Sequence, residues 1–152
     1  MPSKPTGPDP DAITRYILER YPDTIVANAM GGTFFSCNEK SWPNFATIAT
    51  GDDFDDASNL TREGIFRLNI GVSGATFRSL VGKATAPDYA ALDTLLPHPL
   101  YAQQHWVSIL NPSAHSFETL LWPLLEEAHG IVSIREAKIR EGRQRKGTGE
   151  TG

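Results

Sequence analysis

The feature that most constrains the fold is a strict alternation of side-chain character in residues 65–71. Every second residue from position 66 is apolar, and Arg67 and Asn69 lie between them. Because successive side chains of a β-strand point to opposite faces, this period of two predicts a strand with one packed face and one polar face. We expect an antiparallel sheet with one open side, on which Arg67 and Asn69 stand next to each other.

The other predicted elements are short, and they do not alternate as strand and helix along the chain. A first helix begins at Asp9 or Asp11, a hairpin turns at Gly31-Gly32, and a last strand covers residues 104–110. The predicted order is a helix, four strands, a short helix, one more strand and a long helix. This order predicts an α+β fold of two layers, with an antiparallel sheet of about five strands, helices on one face and a long C-terminal helix.

Two more helices are predicted in the second half of the chain. A short helical stretch is expected near residues 88–95, and a long helix begins at Ser116. From position 117 to position 132, apolar residues recur at intervals of three and four, which places a broad apolar stripe on one side of this helix. Pro123 lies too deep for the first helical turn, so it either kinks the helix or marks its true start.

Length and composition predict one ordinary domain. Of the 152 residues, residues 1–10 contain four prolines and are expected to form a disordered leader. A single domain at 11–141 and a disordered tail at 142–152 follow. No apolar run approaches the ~20 residues of a membrane span, and the start lacks the apolar block of a signal peptide. A single cysteine excludes an intrachain disulfide framework. We therefore expect a cytoplasmic protein without membrane contact.

Charge is distributed unevenly along the chain. The net charge is −4, but residues 135–152 contain six basic and three acidic residues, a net of +3, which leaves −7 for residues 1–134. An acidic body argues against a broad surface for nucleic acid, because such surfaces are clusters of basic residues. The basic end is typical of a solvated helix terminus. Weak nucleic-acid binding through this end is the alternative.

Three strings of sequence resemble a known family. They are Phe45-Ala-Thr-Ile, then Gly64-Ile-Phe-Arg-Leu-Asn-Ile-Gly, and a third string that runs from Pro97 to Pro112. Together they resemble a family of small bacterial proteins of unknown function, which is similar to the MmcQ/YjbR-like group, over roughly residues 11–140. The resemblance implies an α+β fold with an antiparallel sheet and flanking helices, and it implies no catalytic residue. The YjbR-like group has been discussed as possible DNA-binding proteins.

Five side chains are candidates for binding a small ligand: Arg67, Asn69, His98, Tyr101 and His105. Arg67 and Asn69 lie about 7 Å apart along one face of a strand, where a guanidinium and a carboxamide can together hold a carboxylate, a phosphate or an amide. His105 would add a group that titrates near neutral pH if its strand shares that face. The alternatives are a solvated face, or an Arg67 paired with an acidic residue of the preceding loop.

The acidic loop and the histidines match no metal-binding pattern. Residues 52–56 carry two pairs of adjacent aspartates without the glycine and the distal glutamate of a calcium loop, so we expect an exposed loop or a pair with Arg62. The spacing of His98 and His105, with His115 and His129 as possible partners, corresponds to no zinc signature. We predict no metal ligand and no cofactor.

Cys37 ends a predicted strand, and no histidine lies near it in the sequence. A catalytic thiol needs a nearby base, so we expect a buried structural cysteine. The sequence likewise matches no other pattern of catalytic residues. We therefore predict a non-catalytic binding or interaction module. The first alternative is a small-ligand-binding protein or enzyme that uses a polar pocket on the open sheet face. A homodimer through the long helix or a sheet edge is a further expectation.

Overall fold

Six strands form one antiparallel sheet in the order β1-β2-β3-β4-β6-β5. The computed structural model describes residues 7–38, 43–83 and 85–150, with the backbone alone for residue 140 and residues 143–150. The elements are, in chain order, α1 (Pro10–Arg20), β1 (Ile25–Ala29), β2 (Gly32–Ser36), β3 (Asn44–Ala49), β4 (Arg67–Gly71), α2 (Gly74–Val81), β5 (Leu96–Pro97), β6 (Trp106–Leu110), α3 (Ala114–Ser116) and α4 (Trp122–Glu150). The predicted α+β class is confirmed, with six strands rather than about five.

The first helix begins as its sequence predicts. The side chain of Asp9 accepts a hydrogen bond from the backbone N–H of Ala12 at 2.8 Å, and Pro10 occupies the first turn, where its missing N–H costs nothing. Ile13 and Ile17 face the sheet and are fully buried. The helix therefore covers part of one sheet face.

The first hairpin turns one residue earlier than expected. Ala29 pairs with Gly32, so the two turn residues are Met30 and Gly31, whose φ angles are 51° and 75°. Two consecutive positive φ angles match the right-handed twist of a two-residue hairpin. Gly31 takes such an angle without strain, whereas Met30 is a residue type that rarely adopts it.

The sheet has two faces of different character, as the pattern in residues 65–71 predicts. The helix face presents Ile48, Leu68 and Ile109, which are aligned across three strands and pack with α1 and α4. The opposite face, called the cleft face below, presents Arg67 and Asn69. These assignments place the main core on the helix face.

The cleft face is covered, which corrects the expectation of an open polar side. Arg67, Asn69 and Ser108 are 2%, 3% and 1% exposed. The connection between β3 and β4 folds over them, and Leu60 of that connection packs on Ala49 and Leu110 in a small separate core. Burial of these polar groups is tolerable because each of them has hydrogen-bond partners.

The C-terminal helical segment accommodates Pro123 through a change of helix type. Ser113 caps α3, and a π-helical turn at Phe117–Leu121 separates α3 from α4. Proline lacks an N–H and clashes with the carbonyl four residues earlier, and the wider turn just before Pro123 relieves that conflict. The predicted stripe is confirmed, since Leu121, Leu125 and Ala128 are fully buried.

Three expectations, for residues 88–95 and for the two ends of the chain, turn out differently or stay open. The short helix near residues 88–95 is wrong, because the chain forms turns and one isolated bridge there. The backbone of α4 is helical as far as Glu150, so it includes most of the expected tail. Residues 1–6 of the expected leader lie outside the described residues, and the division into leader, domain and tail stays a prediction. None of the described helices combines the length and the apolar character needed to cross a membrane.

Candidate functional site

A cleft of about 730 Å³ opens on the cleft face, and its lining extends to Ile131, Val132 and Arg135 of α4. Its floor is formed by the central strands, where Thr47 of β3 pairs with Asn69 of β4 and Asn69 pairs with Ser108 of β6. Gly71 also lines the cleft. The ring of Trp106 packs so closely on Gly71 that a Cβ atom there would lie only 2.9 Å from it. The strand register alone therefore brings the polar side chains of the floor into one row.

Arg67 lies at the centre of the floor in a buried ion pair. Its Nη1 and Nη2 donate to the two carboxylate oxygens of Asp55 at 2.9 and 2.6 Å. Nη1 also donates to Ser58 Oγ at 3.0 Å. Two parallel bonds between a guanidinium and a carboxylate form the strongest pairing available to these groups. The acidic loop is thus attached to the sheet.

This pairing is the alternative in which Arg67 pairs with an acidic residue of the preceding loop, and it corrects the pair with Arg62 that was expected for residues 52–56. Asp55 pairs with Arg67 rather than with Arg62, which instead donates to the backbone oxygens of Asn59, Ser58 and Ala90. The hydrogen bonds from Arg67 hold the pKa of the Asp55 carboxyl below its ordinary value, in spite of the burial that raises it. Asp55 is therefore charged at neutral pH and neutralises the guanidinium.

Asn69 completes the polar network. Its Oδ1 accepts from Arg67 Nε at 3.0 Å and from Ser108 Oγ at 2.7 Å, and its Nδ2 donates to Thr47 Oγ1 at 3.0 Å. The amide orientation follows from these bonds, because a guanidinium can only donate. The network fixes the guanidinium in its plane and rigidifies the floor of the cleft.

His98 stands beside this network with one nitrogen occupied. Its Nδ1 accepts the backbone N–H groups of Leu100 and Tyr101 at 3.0 and 3.1 Å, and the side chain is almost fully buried. Burial, together with the positive charge of Arg67, lowers the pKa of His98 to about 4. The ring is therefore neutral at pH 7, and its single proton is on Nε2.

The Nε2–H of His98 is a donor available to a ligand. His98 lines the cleft, and no group in the described part of the chain accepts a hydrogen bond from Nε2. The proline-flanked extended segment that the sequence predicts around residue 98 is present, since β5 ends at Pro97 and the His98 N–H bonds to the Trp106 carbonyl at 2.9 Å. This segment carries the ring to the cleft face.

The rim of the cleft is mostly apolar and exposed. Phe54, Leu100 and Tyr101 are 46%, 54% and 52% exposed and line the mouth. His105 also lines the cleft, but it is not part of a strand as expected. It has a left-handed φ of 68° at the end of a short helical turn, and β6 begins one residue later. The turn places the ring against Phe77, with ring centres 5.8 Å apart.

All five candidate residues therefore border one cleft. Arg67, Asn69 and His98 lie in its buried interior, whereas Tyr101 and His105 lie at the rim. Reasoning from the sequence missed four other members of the network: Thr47, Asp55, Ser58 and Ser108. Strand alternation contained the signal for Ser108 and Thr47. For Asp55 and Ser58 the sequence signal is only a loop rich in aspartate, and such a loop does not show which basic residue it pairs with.

The two other histidines that were weighed as metal ligands lie elsewhere, and His115 is an exposed residue of α3. His129 is on α4, on the other side of the sheet, beside Asp23 and Cys37. The structure thus brings a histidine to the cysteine that the sequence left without one. Cys37 is buried, as expected, and burial raises the pKa of its thiol.

The fold and the cleft together define a class of protein. It is an α+β protein whose antiparallel sheet carries helices on one face and, on the other, a cleft with a polar floor and a mostly apolar rim. Within this class, the chain belongs to a family of unknown function, DUF6194, whose family model matches residues 8–142. Comparisons with curated proteins and with solved structures found no match.

Proposed function

We propose that this protein is a non-catalytic binding protein that takes a small, uncharged and partly apolar molecule into the cleft. The observation that carries the proposal is the closed network around Arg67, which holds a cleft of about 730 Å³ in place while the Nε2–H of His98 stays available. Sites for small molecules are largely preformed clefts of this size, with an apolar lining and a few fixed polar groups.

The charge balance of the cleft floor, where Asp55 neutralises Arg67, selects the ligand chemistry there. The sequence suggests an anion on Arg67, but Asp55 already neutralises that guanidinium through two hydrogen bonds. An anion would have to displace a buried carboxylate, which is unfavourable. A neutral ligand with one hydrogen-bond acceptor for His98 and a flat apolar part for the rim fits better. Leu100 and Tyr101 offer the apolar surface for that part.

Binding is favoured over catalysis by the state of the polar groups. A general acid or base works best with a pKa near the working pH, whereas the pKa of His98 is about 4. Arg67 and Asn69 are held by internal partners. Groups that are occupied in this way shape a site and orient a ligand, but they do not exchange protons readily near neutral pH.

The proposal is tested by a thermal-shift screen over a library of neutral metabolites, followed by calorimetry on each hit. A ligand that binds only the folded chain raises the unfolding midpoint by mass action. We expect Leu100→Ala at the rim to weaken a confirmed hit by about tenfold. Leu92→Ala is the matched control, because Leu92 is similarly exposed and lies outside the cleft. Equal effects of both substitutions, or no hit in the library, would contradict the proposal.

An enzyme that uses the same cleft is the second candidate. The observation that favours it is the presence of a second imidazole, His105, on the cleft lining. The same hits distinguish the two candidates. Incubation with stoichiometric protein leaves a bound ligand chemically unchanged, whereas a substrate is consumed with time, as mass spectrometry of the supernatant would show.

We also propose the finer identity that the sequence suggests, a cytoplasmic bacterial protein of YjbR-like architecture that forms homodimers. The antiparallel sheet with helices on one face supports the architecture. Exposed apolar side chains on α4, among them Ile134 at 60%, support a partner for that helix. Light scattering after size exclusion tests the dimer, and a concentration-independent monomer contradicts it.

A further inference from the structure

Three distant segments bring potential metal ligands to one point behind the sheet. Asp23 lies in the turn after α1, Cys37 directly follows β2, and His129 lies on α4. Their ligand atoms, one carboxylate oxygen, the thiol sulfur and one imidazole nitrogen, all lie within 4.8 Å of one another. Asp23 Oδ1 and His129 Nε2 already contact each other at 2.9 Å. This group is called the Asp–Cys–His cluster below.

We propose that the Asp–Cys–His cluster binds one divalent transition-metal ion of the Zn²⁺ type. Sulfur, imidazole nitrogen and carboxylate oxygen are the three donors that Zn²⁺ takes in proteins, and thiolate disfavours Mg²⁺ and Ca²⁺. Three protein ligands leave a fourth tetrahedral position for water. The Cys37 thiol gives up its proton to the solvent when it becomes a ligand.

The distances fit a site that tightens around the ion. Zinc lies about 2.3 Å from sulfur and about 2.0–2.2 Å from nitrogen and oxygen, so tetrahedral ligand atoms stand about 3.4–3.6 Å apart. The distance between Asp23 Oδ1 and His129 Nε2 has to increase by about 0.5 Å, and the Cys37 sulfur has to approach by at most about 1.2 Å. Asp23 can make this movement, because its side chain is 56% exposed and lies in a turn.

The histidine is held in a fixed orientation by its surroundings. Its ring stacks on Tyr21 with centres 4.4 Å apart and meets the edge of Phe45 at 5.3 Å. Ser133, one turn further along α4, lies 3.8 Å from the Cys37 sulfur and 3.3 Å from His129 Nε2. A fixed imidazole and a nearby hydroxyl are the outer partners that tune a metal ligand. A surface ion pair alone does not require them.

Metal binding at this point would couple to folding, because the three ligands meet only in the folded chain. The test begins with protein stripped by a chelator. Zn²⁺ added at a hundredfold excess over its Kd should raise the unfolding midpoint by about 5–10 °C. Co²⁺ used as a probe should give the near-ultraviolet charge-transfer band of a thiolate ligand, at one ion per chain.

Substitutions of the three proposed ligands test whether they form the metal site. Asp23→Asn and His129→Gln should each weaken Zn²⁺ binding by more than about tenfold, and Cys37→Ser should abolish the Co²⁺–thiolate band. Asp88→Asn and His115→Gln are matched controls at exposed positions outside the cluster and should leave both signals unchanged. Asp23→Asn keeps the test valid if the other two variants fold poorly, since its side chain is largely exposed.

Two results would overturn the proposal. The first is folded wild-type protein that takes up neither Zn²⁺ nor Co²⁺ at micromolar concentration, which would leave only an ion pair beside a buried thiol. The second is uptake that Asp23→Asn does not weaken, which would place the ion elsewhere in the chain.

Discussion

At the scale of single residues, Arg67 determines how the cleft is built. The residue is 2% exposed, and Asp55, Ser58 and Asn69 supply acceptors for its guanidinium. The strand pattern predicts correctly that Arg67 and Asn69 share a face. It does not predict that the face is covered, because the covering partner lies in an irregular loop twelve residues earlier.

Removal of the negative partner should therefore be costly. Asp55→Asn leaves a buried guanidinium without its counter-charge, and we expect the free energy of unfolding to fall by about 3 kcal/mol. Urea unfolding followed by tryptophan fluorescence measures this change. Asp56→Asn, at the neighbouring exposed position, is the control and should change stability by less than about 0.5 kcal/mol. Equal stability of the two variants would show that the pair does not anchor the loop.

His98 predicts a specific dependence of stability on pH. The folded chain holds the pKa of His98 at about 4, whereas the ordinary value is 6.5, so between these pH values only the unfolded chain takes up the proton. The contribution of His98 to the free energy of unfolding is complete above pH 6.5. It should fall by on the order of 3 kcal/mol as the pH drops to 4. The contribution of Asp55, whose pKa is lowered, is lost only below its usual value of 3.8.

The slope of the free energy of unfolding against pH, between pH 6.5 and pH 4, shows whether His98 causes this effect. In His98→Asn, whose side-chain oxygen can replace the Nδ1 acceptor, the slope should be smaller than in the wild type, although overall stability falls. His115→Gln changes an exposed histidine and should keep the wild-type slope. An unchanged slope in His98→Asn would mean that folding does not lower the pKa of His98.

At the scale of elements, local sequence predicted the types better than the boundaries. The glycine pair marks the first hairpin, but the turn lies at Met30 and Gly31, because the strands pair up to Ala29 and Gly32. His105 is not part of the expected strand, because its positive φ of 68° places it at the end of a helical turn just before β6. The first shift is set by the register between β1 and β2 and the second by the backbone angle of one residue, and residue types alone specify neither.

The hairpin offers a test at this scale. Met30 has a positive φ of 51° and is 66% exposed, so it has backbone strain and little packing to lose. Asparagine before glycine is the preferred pair for such a turn, and Met30→Asn should stabilise the protein by about 0.5–1 kcal/mol. Gly31→Ala, at a φ of 75°, should destabilise it. Thermal unfolding of both variants would refute the turn assignment if Met30→Asn were the less stable of the two.

At the scale of the whole molecule, the two faces of the sheet were predictable and their covers were not. Alternation in β4 and the stripe on α4 are enough to place the main core. The closure of the cleft face depends on the loop between β3 and β4, which Leu60 and Asp55 attach at two separate points. Neither contact has a periodic signal. The meeting of Asp23, Cys37 and His129 is hidden for the same reason.

The central claim is that the cleft is a preformed site with His98 as its free donor. The most direct measurement is long-range ¹H–¹⁵N NMR of the imidazole nitrogens at pH 7, before and after addition of the best hit from the screen. The account predicts a neutral His98 ring with its proton on Nε2, and an Nε2 signal that moves on binding while Nδ1 stays bonded to the backbone. A protonated ring, or a ligand that leaves the His98 signals in place, would contradict it.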